Sequence, residues 1–400
     1  MKFAAFFLAL QMFFASLFGA GGMNFDRASA IAKNDLAAAG YSLSRTMQRE
    51  CYDILRHTLH SKTDSTEVTY IWGAASYLEM LSDAYRLFPG DVTLRANYRD
   101  ALKQMLPRYL AADQTIETAD GAVDGISYYN ASRGNTGDYY YDDNEWVCIQ
   151  LLIGYENLGD PALLRAAEEN LKFLWTGWDD VAGGGIYWYM DHTSKNACSN
   201  APAAIAYLLG YQITGEEIYL ERGKMIYDWM NRSMREEDLF ADAVSLDGTV
   251  ANHWKGIYNQ ATMIYAGTLL YEITGEEEYY TLTKATVDAT IRHLFSETQD
   301  ESGETVICMQ ANPIYTAWCV GWIARAYVKF YEADPQKDTA AMEHFIAVMT
   351  AELATKDENG LYDPFFLSGA ANPEAYTGLL AQCGVACSLL NAAYYDALLR

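Results

Sequence analysis

The chain has 400 residues, 51% of them hydrophobic and 20% charged, which is enough to bury a large core and too apolar for a disordered chain. Its 28 basic and 53 acidic residues give a net charge of −25, with no basic run to offset it. That balance excludes nucleic acid and anionic membrane surfaces as partners and disfavours acidic polymers, while neutral polymers stay open.

Lys2 is followed by an apolar run from Phe3 to Phe18 and then Gly-Ala-Gly-Gly. This reads as a secretory signal peptide over residues 1–22, cut near Ala20, or as an uncleaved N-terminal anchor; a buried first helix is the third reading. Residues 23–400 then form one domain placed outside the cytoplasm. Apolar residues at helical spacing predict helices over Ala28 to Leu59, Val68 to Leu87 and Val92 to Leu110, with Pro89-Gly90-Asp91 as punctuation. The segment from Ala111 to Gly137 is polar and reads as a long loop. Loops of that length inside a compact domain mark function or disorder. This one delivers Asp138-Tyr-Tyr-Tyr-Asp142-Asp143-Asn144-Glu145-Trp146.

An apolar run starts directly behind Asp142 and Asp143, which places the pair at a helix start. Asp142 and Glu145 have the spacing of a capping box, and one reading of the pair is a capped helix and nothing more. One Asp is enough for a cap, so the second acid needs its own reason. Two adjacent carboxyls behind an aromatic wall are what a glycosidase needs, one ionised and one protonated. A retaining glycosidase holds its carboxyls about 5–5.5 Å apart, within reach of neighbouring residues whose side chains diverge. The helix N-terminus favours an ionised carboxylate, and a neighbour facing that charge has its pKa pushed up. Which Asp takes which role is open at this point.

Helical runs continue to the C-terminus. Ile-Thr-Gly-Glu-Glu occurs at 213–217 and again at 273–277, each time between two amphipathic runs, with the Gly as a helix C-cap. Helical hairpins repeated at this period predict an open solenoid or a closed toroid, and about twelve helices, six pairs, point to an all-α (α/α)6 barrel. Short β-hairpins are expected in its loops, one of them near Gly183 to Trp188. Both Ile-Thr-Gly-Glu-Glu turns should lie at the end opposite the double Asp. The loops rich in Gly, Asn, Gln and Trp (Gly183-Gly184-Gly185-Ile186-Tyr187-Trp188, Lys195-Asn196-Ala197 with Ser199-Asn200-Ala201-Pro202, and Trp254 to Gln260) suggest a polar cleft. The glycine run lacks the spacing and the basic residue of a phosphate loop. The 31 Tyr and 9 Trp fit either a sugar's apolar C–H face or ordinary packing. Seven scattered cysteines and six histidines show no metal-ligand spacing, so no metal and few or no disulfides are expected.

Taken together, Tyr141-Asp142-Asp143-Asn144-Glu145-Trp146, the Gly183–Trp188 block, the Lys195–Pro202 block and Tyr258-Asn259-Gln260 resemble glycoside hydrolase family 76, in order and spacing, over nearly all the chain after residue 22. The resemblance implies an (α/α)6 barrel and a retaining endo-α-1,6-mannanase without cofactor, acting on mannan or manno-oligosaccharide. It implies Asp142 as nucleophile and Asp143 as acid/base. It also implies a cleft lined by Tyr141, Asn144, Gly184, Gly185, Tyr187, Trp188, Lys195, Asn196, Asn200, Tyr258, Asn259 and Gln260. A monomer is expected, touching a membrane only if the leader is uncleaved. Fungal members of similar sequence act as transglycosidases and carry a C-terminal lipid-anchor signal. The run Asn391 to Arg400 has no such tail, which favours hydrolysis. The alternatives are another (α/α)6 carbohydrate enzyme, such as a uronyl hydrolase or an epimerase, or a glycan-binding protein without catalysis.

Overall fold

The computed structural model describes residues 34–134, 137–299, 305–309, 316–365 and 378–399. The leader at 1–22 and the predicted helix start at Ala28 lie outside the described residues. Twelve α-helices occur among those described: α1 Asp35–Cys51, α2 Ile71–Leu87, α3 Val92–Asp100, α4 Tyr141–Leu158, α5 Pro161–Trp175, α6 Ala201–Thr214, α7 Glu217–Ser233, α8 Ile257–Thr274, α9 Glu277–Leu294, α10 Thr316–Ala333, α11 Ala340–Glu352 and α12 Leu379–Leu399.

The even-numbered helices form an inner ring. α2 packs on α4, α4 on α6, α6 on α8, α8 on α10, α10 on α12, and α12 closes back on α2. The odd-numbered helices pack outside them. Composition explains the division. In α2, 15 of 17 residues are buried, because an inner helix has neighbours on every side. In α3 only Leu94 and Tyr98 are buried, the narrow stripe of an outer helix. The predicted (α/α)6 barrel is therefore present, and it is closed.

The starts of the inner helices converge at one end. Trp318 of α10 meets Trp72 of α2 at 5.1 Å, Trp146 of α4 at 5.0 Å and Tyr258 of α8 at 5.9 Å between ring centroids. The Ile-Thr-Gly-Glu-Glu turns follow the C-termini of α6 and α8, where Gly215 and Gly275 adopt the left-handed conformation that ends a helix. They thus lie at the opposite end from Asp142 and Asp143, as the repeat predicts.

Several boundaries differ from the sequence reading. The helix expected to run on to Leu59 stops at Cys51. It is followed by a two-residue strand pair, β1 Tyr52–Asp53 and β2 Thr58–Leu59. Asp53 causes the turn by accepting the backbone N–H groups of Leu55 and Arg56 at 3.0 Å each. The helix expected from Val92 to Leu110 is α-helical only to Asp100; a π turn (Ala101–Met105) and a 3-10 turn carrying Pro107 complete it. The supposed loop after Ala111 is a hairpin of two nine-residue strands, β3 Leu110–Thr118 and β4 Gly121–Tyr129. Its two-residue turn is Ala119-Asp120, between the paired Thr118 and Gly121, and its β-branched residues supply the strands. The hairpin expected near Gly183 to Trp188 is instead a 3-10 turn at Val181–Gly183 with isolated bridges Trp178↔Ile186 and Tyr140↔Tyr189. A three-stranded sheet of β5 Lys195–Asn196, β6 Ala243–Val244 and β7 Val250–Asn252, with β6 in the middle, stands beside it.

Candidate active site

Asp142 and Asp143 occupy the first turn of α4, at the end where the inner helices begin. The capping-box reading fails in detail. Tyr140 is the N-cap residue and makes no side-chain cap bond. Glu145 does not reach back either. It is fully buried, and its carboxyl oxygens have no hydrogen-bond partner of ordinary geometry among the described residues. Burial first, then the charge of Asp142, holds its pKa well above the usual carboxylate range.

The two aspartates differ in what surrounds them. Asp142 Oδ1 accepts the backbone N–H of Asp143 at 2.8 Å, and its Oδ2 accepts the indole N–H of Trp188 at 3.0 Å. The Cys198 thiol donates to the same carboxylate. Burial pushes the Asp142 pKa up to about 6, and these donors hold it from rising further. Among the described residues none donates a hydrogen bond to Asp143. Burial and the charges of Asp142 and Asp138 push its pKa well above the carboxylate range. One dipeptide therefore carries a carboxylate supplied with donors beside a carboxyl whose surroundings favour its protonated form.

Around the pair, Tyr258 donates its hydroxyl to Asp242 Oδ1 at 3.0 Å, and Asn252 Nδ2 donates to Asp242 Oδ2 at 2.9 Å. The Asp242 carbonyl accepts the Ala197 N–H at 2.8 Å, which fastens this third acid beside Cys198. Trp254 stands over Tyr258 with ring centroids 5.8 Å apart. Trp318 and Trp146 lie beneath at 4% and 3% exposure. Glu79 in the barrel interior fixes this floor, accepting the indole N–H groups of Trp318 at 3.0 Å and Trp322 at 3.1 Å. Sequence reasoning missed Asp242, Trp318, Glu79 and the role of Cys198; the first three stand in no motif, and Cys198 lies unremarked inside the Lys195–Pro202 block.

Of the predicted lining residues, Trp188 faces the opening at 39% exposure, Tyr258 is half-buried beside Asp242, and Asn196 is half-buried with Oδ1 accepting from Ser194 at 2.8 Å. The others point into the protein. Tyr141 is buried, stacked on Phe173 at 5.0 Å. Tyr187 is buried against His192 and donates its hydroxyl to Asp179 at 2.7 Å. Gly184 and Gly185 hold φ of 123° and 92°, and a Cβ on either would sit 2.7–2.8 Å from the rings of Trp178 and Trp229. Glycine is required there by packing on indoles. Lys195 has no exposure, and its ammonium donates to Asp179 Oδ1 at 2.5 Å and to the carbonyls of Val181 and Gly184 at 2.8 and 2.9 Å.

The buried amides share one device. Asn144 accepts the N–H of Tyr129 at 2.7 Å and donates to its carbonyl at 3.0 Å. Asn200 does the same to Ile186 at 2.7 and 2.9 Å, and Gln260 to Phe240 at 2.7 and 2.9 Å. Gln382 repeats it on Tyr362 at 3.2 and 2.8 Å. The first three also donate to the carbonyl four residues upstream, that of Tyr140, Asn196 and Gly256. Each clamp ties an incoming loop to the start of an inner helix. Asn259 sits beside one of them, buried, donating to the Ala241 carbonyl at 3.4 Å.

Comparisons with known proteins agree with this architecture. A mannan endo-1,6-alpha-mannosidase of Saccharomyces cerevisiae, DCW1, is 29% identical over 143 residues, a match spanning 32% of this chain and 32% of the yeast protein. A family 76 mannosidase from Bacteroides thetaiotaomicron superposes with a TM-score of 0.78 at 20% identity, covering 92% of this chain and 100% of its own. An α-1,6-mannanase of Salegentibacter sp. HEL1_6, solved with α-1,6-mannotriose as an inactive variant bearing two successive Asp-to-Asn changes, gives a TM-score of 0.73 at 22% identity, with coverage of 92% and 100%. The family model for glycosyl hydrolase family 76 matches residues 35–362, from the first turn of α1 to the loop before α12, and the chain belongs to that family.

Proposed function

We propose that this protein is a retaining glycosidase that cuts internal α-1,6-mannosidic linkages of mannan outside the cytoplasm, with Asp142 as nucleophile and Asp143 as acid/base. The observation that carries the reading is the unequal surroundings of the two acids. Three donors converge on Asp142 and favour its ionised form, while Asp143 receives none and faces its neighbour's charge. Support for the substrate comes from the yeast relative's described activity and from the mannotriose held by the Salegentibacter enzyme.

In the first step the Asp142 carboxylate attacks the anomeric carbon, the bond to the leaving oxygen breaks, and Asp143 gives that oxygen its proton. In the second, Asp143 takes a proton from water, the water oxygen attacks the anomeric carbon, and Asp142 leaves as a carboxylate. The Trp188 indole steadies the nucleophile in both steps. Asp242, Tyr258 and Trp254 offer acceptors and an apolar face to sugar hydroxyls and C–H groups.

Two experiments test this. Product analysis on linear α-1,6-mannan and on debranched yeast mannan should show internal cuts, with α-configured first products. A β-configured first product would discard the retaining mechanism, and binding without turnover would favour a glycan-binding protein. On an aryl mannoside with a good leaving group, Asp142→Ala should be nearly inactive. Asp143→Ala should keep its first step, and azide should rescue the second as an α-mannosyl azide. Rescue of Asp142→Ala in place of Asp143→Ala would exchange the two roles.

A further inference from the structure

A cavity of about 1020 Å³ lies beside the candidate cleft and contains neither aspartate of the pair. One wall is the β3–β4 hairpin, through Thr118, Val123 and Asp124; the other is the end of α5 and the loop after it, through Trp175 and Trp178. Thr176 lines the cavity, and its hydroxyl is 3.3 Å from that of Tyr141, the residue before Asp142. The Tyr141 side chain therefore runs from the residue before the pair to the cavity's rim. Along the chain, Val181 on its rim is seven steps from Trp188, at most about 25 Å of extended backbone.

Its chemistry is specific. Trp175 and Trp178 stack at 5.2 Å and 6°, and both are partly exposed. Arg222 lies over Trp175 at 4.3 Å, with its Nε buried and lacking an acceptor among the described residues. Val123 and Val181 line the cavity at 38% and 40% exposure. Five lining side chains are acids and two are bases, Lys172 and Arg222. Lys172 is tied to Glu169 at 2.6 Å, and Arg222 is spent on the indole. Net negative charge turns away anionic ligands. An apolar floor with carboxylate acceptors on its rim suits a ligand that is neutral, rich in hydroxyls and apolar on its C–H faces.

We propose that this groove is a second carbohydrate-binding site, which holds a neutral hexose chain continuous with the one in the cleft. The identity of the sugar rests on the activity proposed above; the groove itself rests on its own residues. Two sites engaging one polymer raise the affinity for that polymer over either site alone.

The test uses the full chain carrying Asp142→Asn and Asp143→Asn, so that glycan binds without turnover, and calorimetric titration with linear α-1,6-mannan and with α-1,6-mannotetraose. Val123→Arg, on an exposed strand, blocks the groove without touching the barrel. It should weaken polymer binding by roughly tenfold and leave mannotetraose within about twofold. Trp178→Ala should weaken polymer binding too, but Gly184 packs on that ring, so Val123→Arg decides. Unchanged polymer affinity, equal loss for both ligands, or a parent that binds no polymer would each overturn the proposal. If the enzyme with its aspartates intact turns over no α-1,6-mannan, yet Val123→Arg still weakens polymer binding selectively, the activity falls and the groove stands. If mannan is cut and Val123→Arg changes nothing, the groove falls and the activity stands.

Discussion

Asp142 and Asp143 are held in the fold at a cost that pH reveals. Burial raises both pKa values, that of Asp142 to about 6, above the roughly 3.9 of an Asp in an unfolded chain. A carboxyl shifted in this direction contributes stability that is fully present below the unfolded pKa and lost as pH rises through the folded one. For Asp142 that window runs from about pH 4 to just above pH 6. Asp142→Asn and Asp143→Asn should each therefore abolish activity and stabilise the protein at pH 8, by about 0.5–2 kcal/mol, with a smaller gain at pH 5. Thermal unfolding of parent and variants at both pH values measures this. A gain that is larger at pH 5 would contradict the burial of the pair.

The amide clamps recast residues that a family pattern presents as contacts to sugar. Asn200→Ala leaves the buried N–H of Ile186 unpaired, at about 1–3 kcal/mol, while the Ile186 carbonyl keeps only the Ser199 hydroxyl at 3.2 Å. It should lower the unfolding midpoint sharply and reduce the amount of active enzyme more than it raises KM. A side chain whose role is binding substrate would give the reverse, a raised KM at unchanged stability. Lys195→Met should likewise be destabilising, by about 3–5 kcal/mol, because it strands Asp179 beside a buried loop. These cases also mark how far sequence can be read. The double Asp at a helix start, the glycine-capped turns and the closed ring of hairpins were legible, since caps and periodicity are local. Clamp partners are backbone groups 14 to 20 residues away, and a backbone group has no letter of its own. Asp242 and Trp318 reach the site from loops and helices whose residues carry no motif. The β3–β4 hairpin was hidden by its polar, exposed strands, although the Asp120-Gly121 dipeptide at the exit of its turn was a signal.

At the scale of the molecule, no group of three or more His, Cys, Asp or Glu among the described residues is arranged to hold a metal ion. Activity should accordingly survive chelation, and restoration by calcium after loss would reveal a site. All seven cysteines are free thiols, so mass should not change on reduction, and seven groups should react with a thiol reagent after denaturation. Closure of the inner ring has a further effect. The last segment, α12, packs on α1 and α2, and Asn34 donates to Asp396 at 2.6 Å across 362 residues of sequence. A chain emerging from the ribosome can pair its hairpins early, but its first helices have no final neighbour until the end has been made. Until then α2, which is buried on nearly every side in the finished ring, has one flank uncovered. Closure of the ring thus waits for both its first and its last helices, and a chain crossing a membrane before α12 is made does so in an open, threadable form.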